Sequence, residues 1–184
     1  MRIEILAMFL GLVLLFGCVG QTNTAANNQL FDSILNNDTV LMKSLISNGA
    51  DVNARNDIGQ TPLIYSAIYG HIEMYTWLIE KGADVNAKDN QGITALMWAS
   101  GKGNTDLIRL LIDRGADINA RDGNGRTALW TAAQYNQNDT VRLLIEKGAN
   151  VNIIDNNGVT ALTIAKQYGN TETVSILNKS GAKE

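Results

Sequence analysis

The segment Thr61-Pro-Leu-Ile-Tyr-Ser66 recurs along this chain in three altered copies: Thr94-Ala-Leu-Met-Trp-Ala99, Thr127-Ala-Leu-Trp-Thr-Ala132 and Thr160-Ala-Leu-Thr-Ile-Ala165. Each copy begins 33 residues after the one before it. Self-similarity at a fixed period of about 20 to 50 residues is typical of repeat proteins, in which each copy is one structural unit. The segment therefore predicts a stack of similar units.

The same period extends outward from these segments. Gly-Ala pairs share it, at residues 49–50, 82–83, 115–116, 148–149 and 181–182. A turn glycine also precedes each threonine by two residues, at Gly59, Gly92, Gly125 and Gly158. Chance does not produce several positions with one common step, so we expect five units.

Each unit has the residues of two short helices. Thr61 and its equivalents suit the N-cap, where a hydroxyl accepts from a free backbone N–H, and Pro62 suits the first helical position. Gly and Asn tolerate the left-handed backbone that ends a helix, and they recur at Gly70, Gly103, Asn136 and Gly169. A second helix follows, with apolar residues at helical spacing, and ends at the Gly-Ala pair.

Neither helix is long enough to be stable alone. We expect about eight to ten residues in each, below the roughly 12 to 15 at which isolated helices become marginal in water. Stability must then come from stacking each unit on its neighbours. The small Ala99, Ala132 and Ala165 predict a close approach of the paired helices.

The units resemble the ankyrin repeat, whose signature is Thr-Pro-Leu-His-x-Ala on a 33-residue period. The signature His is replaced by Ile64, Met97, Trp130 and Thr163. The resemblance implies an all-α ankyrin-repeat solenoid of about five stacked helix-turn-helix units with short β-turn fingers. It covers residues 28–184: an N-terminal capping repeat at 28–55, repeats at 56–88, 89–121 and 122–154, and a C-terminal capping repeat at 155–184. Polar Asn178, where other copies have Ile, leads us to expect a complete array.

The N-terminus has the pattern of a targeting segment. Residues 5–19 are apolar and uncharged, too short for a spanning helix of about 20 residues. Leu15-Phe16-Gly17-Cys18 resembles the lipobox of prokaryotic lipoproteins. The resemblance implies a signal peptide at 1–17, lipid attachment at Cys18, a flexible tether through residue 27, and export to the cell membrane or envelope. An uncleaved N-terminal membrane anchor is the alternative.

Composition argues against several classes of function. The formal charge is −3 and the pI about 5.2, so we expect no nucleic acid partner. A lone Cys and the lone His71 leave no catalytic grouping. Asp51, Asp84 and Asp117 recur once per repeat, which suits bonds to the turn backbone better than a calcium site. We expect no enzyme activity, cofactor or metal.

The ankyrin resemblance implies partner binding through finger tips and a concave first-helix face. Positions that vary between copies are then the candidates: Tyr69, Tyr135, Tyr168, Trp98, Trp130 and Lys102 on the face, with Arg55, Lys88, Arg121 and Ile58 at the tips. Tyrosine is favoured at binding hot spots, although the three rings could instead shield the core. Asp57, Asp89 and Asp122 are expected to neutralise the basic tip residues.

These observations predict a monomeric, non-catalytic interaction module tethered to the outer side of a prokaryotic membrane, with a protein partner. Two alternatives remain open: an accessory or regulatory subunit of a neighbouring envelope enzyme, and a structural spacer.

Overall fold

The computed structural model describes residues 24–183, which form ten helices in five successive pairs. Their bounds are α1 24–35, α2 Thr39–Ser47, α3 Pro62–Tyr69, α4 Ile72–Glu80, α5 Ala95–Lys102, α6 Thr105–Asp113, α7 Ala128–Gln134, α8 Asn138–Glu146, α9 Ala161–Gln167 and α10 Thr171–Lys179. The odd-numbered helices are the first helices of the repeats, and the even-numbered ones are the second helices. The predicted all-α repeat solenoid is confirmed.

The pairs stack in two layers. First helices contact first helices, from α3 to α5, α7 and α9, and second helices contact second helices from α2 to α10. One apolar core runs between the layers through all five pairs. Ala99, Ala132 and Ala165 are almost completely buried in it, as close helix packing requires. Each repeat is thus covered by the repeats before and after it.

The predicted helix starts and stops are present. Thr61, Thr94, Thr127 and Thr160 are extended N-cap residues whose hydroxyls accept the backbone N–H three residues on. Pro62 occupies the first position of α3. Gly70 and Asn136, at equivalent positions, have φ of 76° and 55°, the left-handed conformation expected after a helix end.

A ladder of asparagine side chains joins successive repeats. The backbone N–H groups of Asp84 and Asp117 donate to Oδ1 of Asn53 and Asn86, at 2.8 and 2.7 Å. Within each loop, the aspartate in turn accepts from the backbone N–H two residues on, as Asp51 does from Asn53. The prediction that these Asp and Asn side chains bond the turn backbone is confirmed.

The N-terminal end of the described range differs from the sequence-based prediction, whereas the C-terminal end agrees with it. Residues 24–27, expected to belong to a flexible tether, are already helical. Asn27 explains the difference, because its Oδ1 accepts the Asp51 backbone N–H at 3.1 Å and so extends the asparagine ladder by one step. At the other end, Asn178 is exposed, whereas Ile79 in the equivalent slot is buried.

The predicted signal peptide at 1–17 and Cys18 lie outside the described residues. Within residues 24–183, every helix is too short or too polar to cross a membrane.

Candidate protein-binding surface

The last residue position of the first helices, or the cap that follows it, forms a row along the stack. Its members occupy one position at a spacing of 33 residues: Tyr69, Lys102, Tyr135 and Tyr168. We call them the Tyr/Lys row. The three tyrosines are 45, 60 and 60% exposed, and Lys102 is exposed as well. The structure therefore brings these four predicted residues onto one accessible side of the array.

The exposed tyrosines are also held by neighbours. The Tyr69 ring meets Tyr65 edge-on at 5.0 Å between centroids and stacks on His71 at 5.9 Å. The hydroxyl of Tyr168 accepts a 3.1 Å hydrogen bond from the Gln134 side chain of the preceding repeat. Each ring thus combines packing with free surface, so the two interpretations of the tyrosines do not exclude each other.

Tyr65 belongs to the same aromatic cluster and connects it to the first repeat. Its ring meets Phe31 edge-on at 5.5 Å. Burial, and secondarily the neighbouring Tyr69 hydroxyl, raises the pKa of Tyr65 above its usual range. The folded chain therefore favours the neutral phenol.

The structure places the two candidate tryptophans differently. Trp98 is partly buried, whereas Trp130 is 7% exposed and belongs to the core, with the Arg126 guanidinium 5.4 Å from its ring centroid. Trp130 is therefore not on the accessible face. Its repeat position, shared with the almost completely buried Ile64 and Met97, was the signal that could have excluded it.

The basic residues of the fingers form hydrogen bonds from one finger to the next. Arg55 Nη1 donates to the carbonyl of Lys88 at 2.7 Å, and Lys88 Nζ donates to the carbonyl of Arg121 at 3.0 Å. Backbone bonds between finger tips run alongside them. These side chains are exposed, but Arg55 and Lys88 already form hydrogen bonds between repeats.

One of the three carboxylates expected to neutralise this basic row, Asp122, has another partner. Asp122 pairs instead with Arg126 at 2.8 Å, and it also accepts the backbone N–H groups of Asn124 and Arg126. The turn-forming slot is shared by Asn56, Asp89, Asp122 and Asp155, so Asp57 lies one residue out of register. The 33-residue step alone shows this, because residue 56, and not residue 57, is equivalent to Asp89 and Asp122.

Ile58 lies at a finger tip and is 57% exposed. Ile154 is also exposed, at the position that Arg55, Lys88 and Arg121 occupy in the other fingers. An exposed apolar residue at a tip is suited to contact with a partner, although isolated exposed residues of this kind are also common on any surface.

A cleft of about 350 Å³ opens beside the Tyr/Lys row, between α5 and α7. Its walls combine apolar and charged side chains: Ile93, Met97, Trp98, Lys102, Asp122, Arg126, Thr131, Gln134 and Tyr135, with Gly101 between them. Trp98, Lys102 and Tyr135 are separate candidates in the sequence, and the cleft brings them together. A glycine inside a helix, at Gly101, is the sequence feature that marks it.

Charge is unevenly distributed between the two helical layers. The first helices of repeats 2 to 5 contain no Asp or Glu, and their charged residues are Lys102 and Lys166. The second helices of the same repeats contain seven carboxylates. The first helices that carry the Tyr/Lys row are therefore neutral to basic, although α1 has the exposed Asp32 and the whole chain has a net charge of −3.

The one histidine of the chain, His71, lies within the described residues and next to the Tyr/Lys row. His71 lies at the start of α4 and stacks on Tyr69, and its buried Nε2 has no hydrogen-bond partner there. Among residues 24–183, no three His, Cys, Asp or Glu side chains lie close enough together to hold a metal ion. What this surface offers is non-covalent contact through aromatic, amide and ammonium groups.

Comparison with known proteins agrees with the repeat architecture. A family model described as ankyrin repeats (3 copies) matches residues 30–122 and again residues 119–184. No curated protein matches the chain. The two matched ranges together span nearly all of the helical array, and ankyrin repeats are modules that bind other proteins. The chain therefore belongs to the ankyrin-repeat family.

Proposed function

We propose that this protein is a non-catalytic interaction module that binds a protein partner through the Tyr/Lys row and the finger tips. The observation that carries the proposal is the exposure of three tyrosines at one repeat position, on the first helices of repeats 2 to 5, which contain no Asp or Glu. Tyrosine offers a large contact area with little loss of side-chain freedom, and the contacts of Tyr69 and Tyr168 with neighbouring side chains reduce that loss further.

The partner-binding face is tested by replacing Tyr69, Tyr135 and Tyr168 together with Ala. Crosslinking in envelope extracts, followed by mass spectrometry, identifies partners of the wild-type chain, and each is then purified and its affinity measured. We expect the triple variant to lose at least tenfold in affinity, since truncation of a hot-spot tyrosine costs about 2 kcal/mol or more. A variant with the exposed second-helix residues Glu80, Arg109 and Glu146 changed to Ala is the matched control.

The two variants give opposite results if the proposal is correct. The second-helix control should bind like the wild type. Equal affinity of the wild type and a folded tyrosine variant would exclude the Tyr/Lys row as the binding face.

We also propose that a lipid on Cys18 holds the array at the outer side of a prokaryotic membrane. The support is the apolar segment 5–19 and the Leu15-Phe16-Gly17-Cys18 motif. Stable anchoring takes more than one acyl chain, which a diacylated cysteine provides. The array would then meet its partner close to the membrane.

Metabolic labelling with an alkynyl fatty acid tests the anchor. The wild-type chain should incorporate the label and lose residues 1–17, and Cys18→Ala should do neither. A Cys18→Ala variant that matches the wild type in mass and membrane retention would favour the uncleaved anchor instead.

A further inference from the structure

We propose that the cleft between α5 and α7 binds an apolar side chain of a partner peptide whose adjacent residue is acidic, with Lys102 pairing with that carboxylate. The inference rests on the proposed function and specifies the chemistry of the partner. It is carried by the shape of the cleft, by the residue that opens it and by the charges along its rim.

The size and lining of the cleft suit a side chain. Its volume of about 350 Å³ lies at the low end of the range of about 300 to 1,000 Å³ found for ligand pockets. Ile93, Met97 and the Trp98 ring supply apolar walls, and the exposed Tyr135 ring stands at one side. An aromatic or large aliphatic side chain that enters the cleft would leave water and contact these apolar walls.

Gly101 keeps the cleft open. The equivalent position holds Ile68, Gln134 and Gln167 in other repeats. Gly101 is the last residue but one of α5, where the other repeats have residues of higher helix propensity. A Cβ at Gly101 would stand 3.1 Å from Thr131 Cγ2 and 3.4 Å from Tyr135 Cδ2. The glycine thus lets the α7 side chains lie against the α5 backbone and leaves the space beside them free.

The charges at the cleft favour an acidic guest. Four titratable residues line it: Lys102, Asp122, Arg126 and Tyr135. The Arg126 and Asp122 charges are already paired with each other at 2.8 Å. Within residues 24–183, the Lys102 ammonium has no ion-pair or hydrogen-bond partner. One unpaired positive charge therefore remains beside an apolar cavity.

Lys102 also replaces tyrosine in the Tyr/Lys row, between Tyr69 and Tyr135. A partner segment that runs along the row meets aromatic surface before and after the lysine, and the lysine and the cleft together at the third repeat. One unpaired cation at the cleft, on a chain of net charge −3, is a poor match for a polyanion such as nucleic acid, which requires many cations. A peptide with one apolar and one acidic residue fits the arrangement better.

The test is a selection of random dodecapeptides displayed on phage, with the full-length chain in detergent as the target. Peptides selected by the wild-type chain should be enriched in an aromatic or large aliphatic residue next to Asp or Glu. The best of them are synthesised with a fluorophore, and their affinities are measured by anisotropy. Lys102→Glu should weaken binding about fivefold or more, since attraction at an exposed rim becomes repulsion. Lys102→Gln should weaken it less, in the same direction.

Lys179→Glu is the matched control, because Lys179 is exposed in the last turn of α10 as Lys102 is in the last turn of α5. It carries the same change of charge and should leave the affinity within about twofold. When Lys102→Glu is the target, the selected peptides should instead be enriched in Lys or Arg next to the apolar residue. Peptides without an acidic preference, or affinities equal in the wild type and Lys102→Glu, would overturn the inference.

The outcome separates this inference from the proposed function. A partner that depends on Tyr69, Tyr135 and Tyr168 but ignores Lys102→Glu refutes the cleft and leaves the binding face intact. A partner that ignores the tyrosines refutes the binding face itself.

Discussion

Each first helix of repeats 2 to 5 begins at a threonine whose hydroxyl accepts a backbone N–H group of the first turn. The threonines are almost completely buried, so water cannot replace the hydroxyl when it is removed. A single side chain thus fixes where a helix of seven or eight residues starts. At this scale the fold depends on local hydrogen bonds that recur once per repeat.

Thr127→Ala should lower the free energy of unfolding by about 1 kcal/mol, because the backbone N–H of Trp130 loses its acceptor. Thr127→Ser keeps the hydroxyl and should recover most of the loss. Urea unfolding of the full chain in mild detergent measures both. Equal losses in the two variants would show that the hydroxyl has no capping role.

Asp122 has a larger predicted effect, since it accepts two backbone N–H groups and the Arg126 side chain while 9% exposed. Asp122→Ala should cost about 2 to 4 kcal/mol, because a buried carboxylate that accepts several part-buried hydrogen bonds is removed. Asp122→Asn keeps an acceptor for the turn and should cost less, as the natural Asn56 in the equivalent slot indicates. Urea unfolding measures both variants. A loss of less than about 1 kcal/mol in Asp122→Ala would contradict the proposed role of Asp122 in this turn.

Tyr65 gives a prediction for alkaline solution. Its pKa is raised in the folded chain by burial and by the Tyr69 hydroxyl, so the folded state holds the phenolic proton more tightly than the unfolded state does. This contribution is complete below the ordinary tyrosine pKa of about 10 and is lost as the pH rises above it. Between pH 9 and 11 the wild type should lose more stability than Tyr65→Phe. If the stability of the wild type and of Tyr65→Phe declined equally over this pH range, the raised pKa of Tyr65 would be contradicted.

Single residues also show where sequence reasoning succeeds and fails. The capping threonines and the Asp and Asn ladder could be predicted because local hydrogen bonding fixes them. Trp130 could not be placed from residue type alone, since an aromatic ring is equally suited to a core and to a binding face. Its assignment needed the buried equivalents Ile64 and Met97.

At the scale of elements, helices of seven to nine residues in repeats 2 to 5 pack in two layers. Small residues between the layers set their separation: Ala132 and Ala165 have no exposed surface. The helix pairs and their order could be predicted from the 33-residue period. The cleft could not, because it depends on how Gly101 of one helix meets Thr131 and Tyr135 of the next.

Ala132→Leu should destabilise the chain by about 1 to 3 kcal/mol, because the larger side chain has no space between packed helices. Gln167→Leu introduces the same side chain at an exposed position of α9 and should change the stability by no more than about 0.5 kcal/mol. Thermal or urea unfolding measures the difference. Similar effects of the two substitutions would contradict close packing at Ala132.

At the scale of the whole molecule, the five pairs form one array in which each repeat contacts its neighbours through the core, the asparagine ladder and the bonds between fingers. In repeats 2 to 5 the first helices are neutral to basic, and the carboxylates lie on the second helices and loops. This separation gives the Tyr/Lys row its character as a candidate binding face.

The central claim is that short helix pairs are stable only because copies one period apart stack on each other. Deletion of residues 89–121, one complete repeat, tests it most directly, with deletion of residues 89–105 as the control that breaks the period. If the claim holds, far-UV circular dichroism of the first variant shows the same helicity per residue as the wild type, with cooperative unfolding at lower urea, while the second variant loses structure in several repeats. Loss of structure to the same extent in both deletions would contradict the claim.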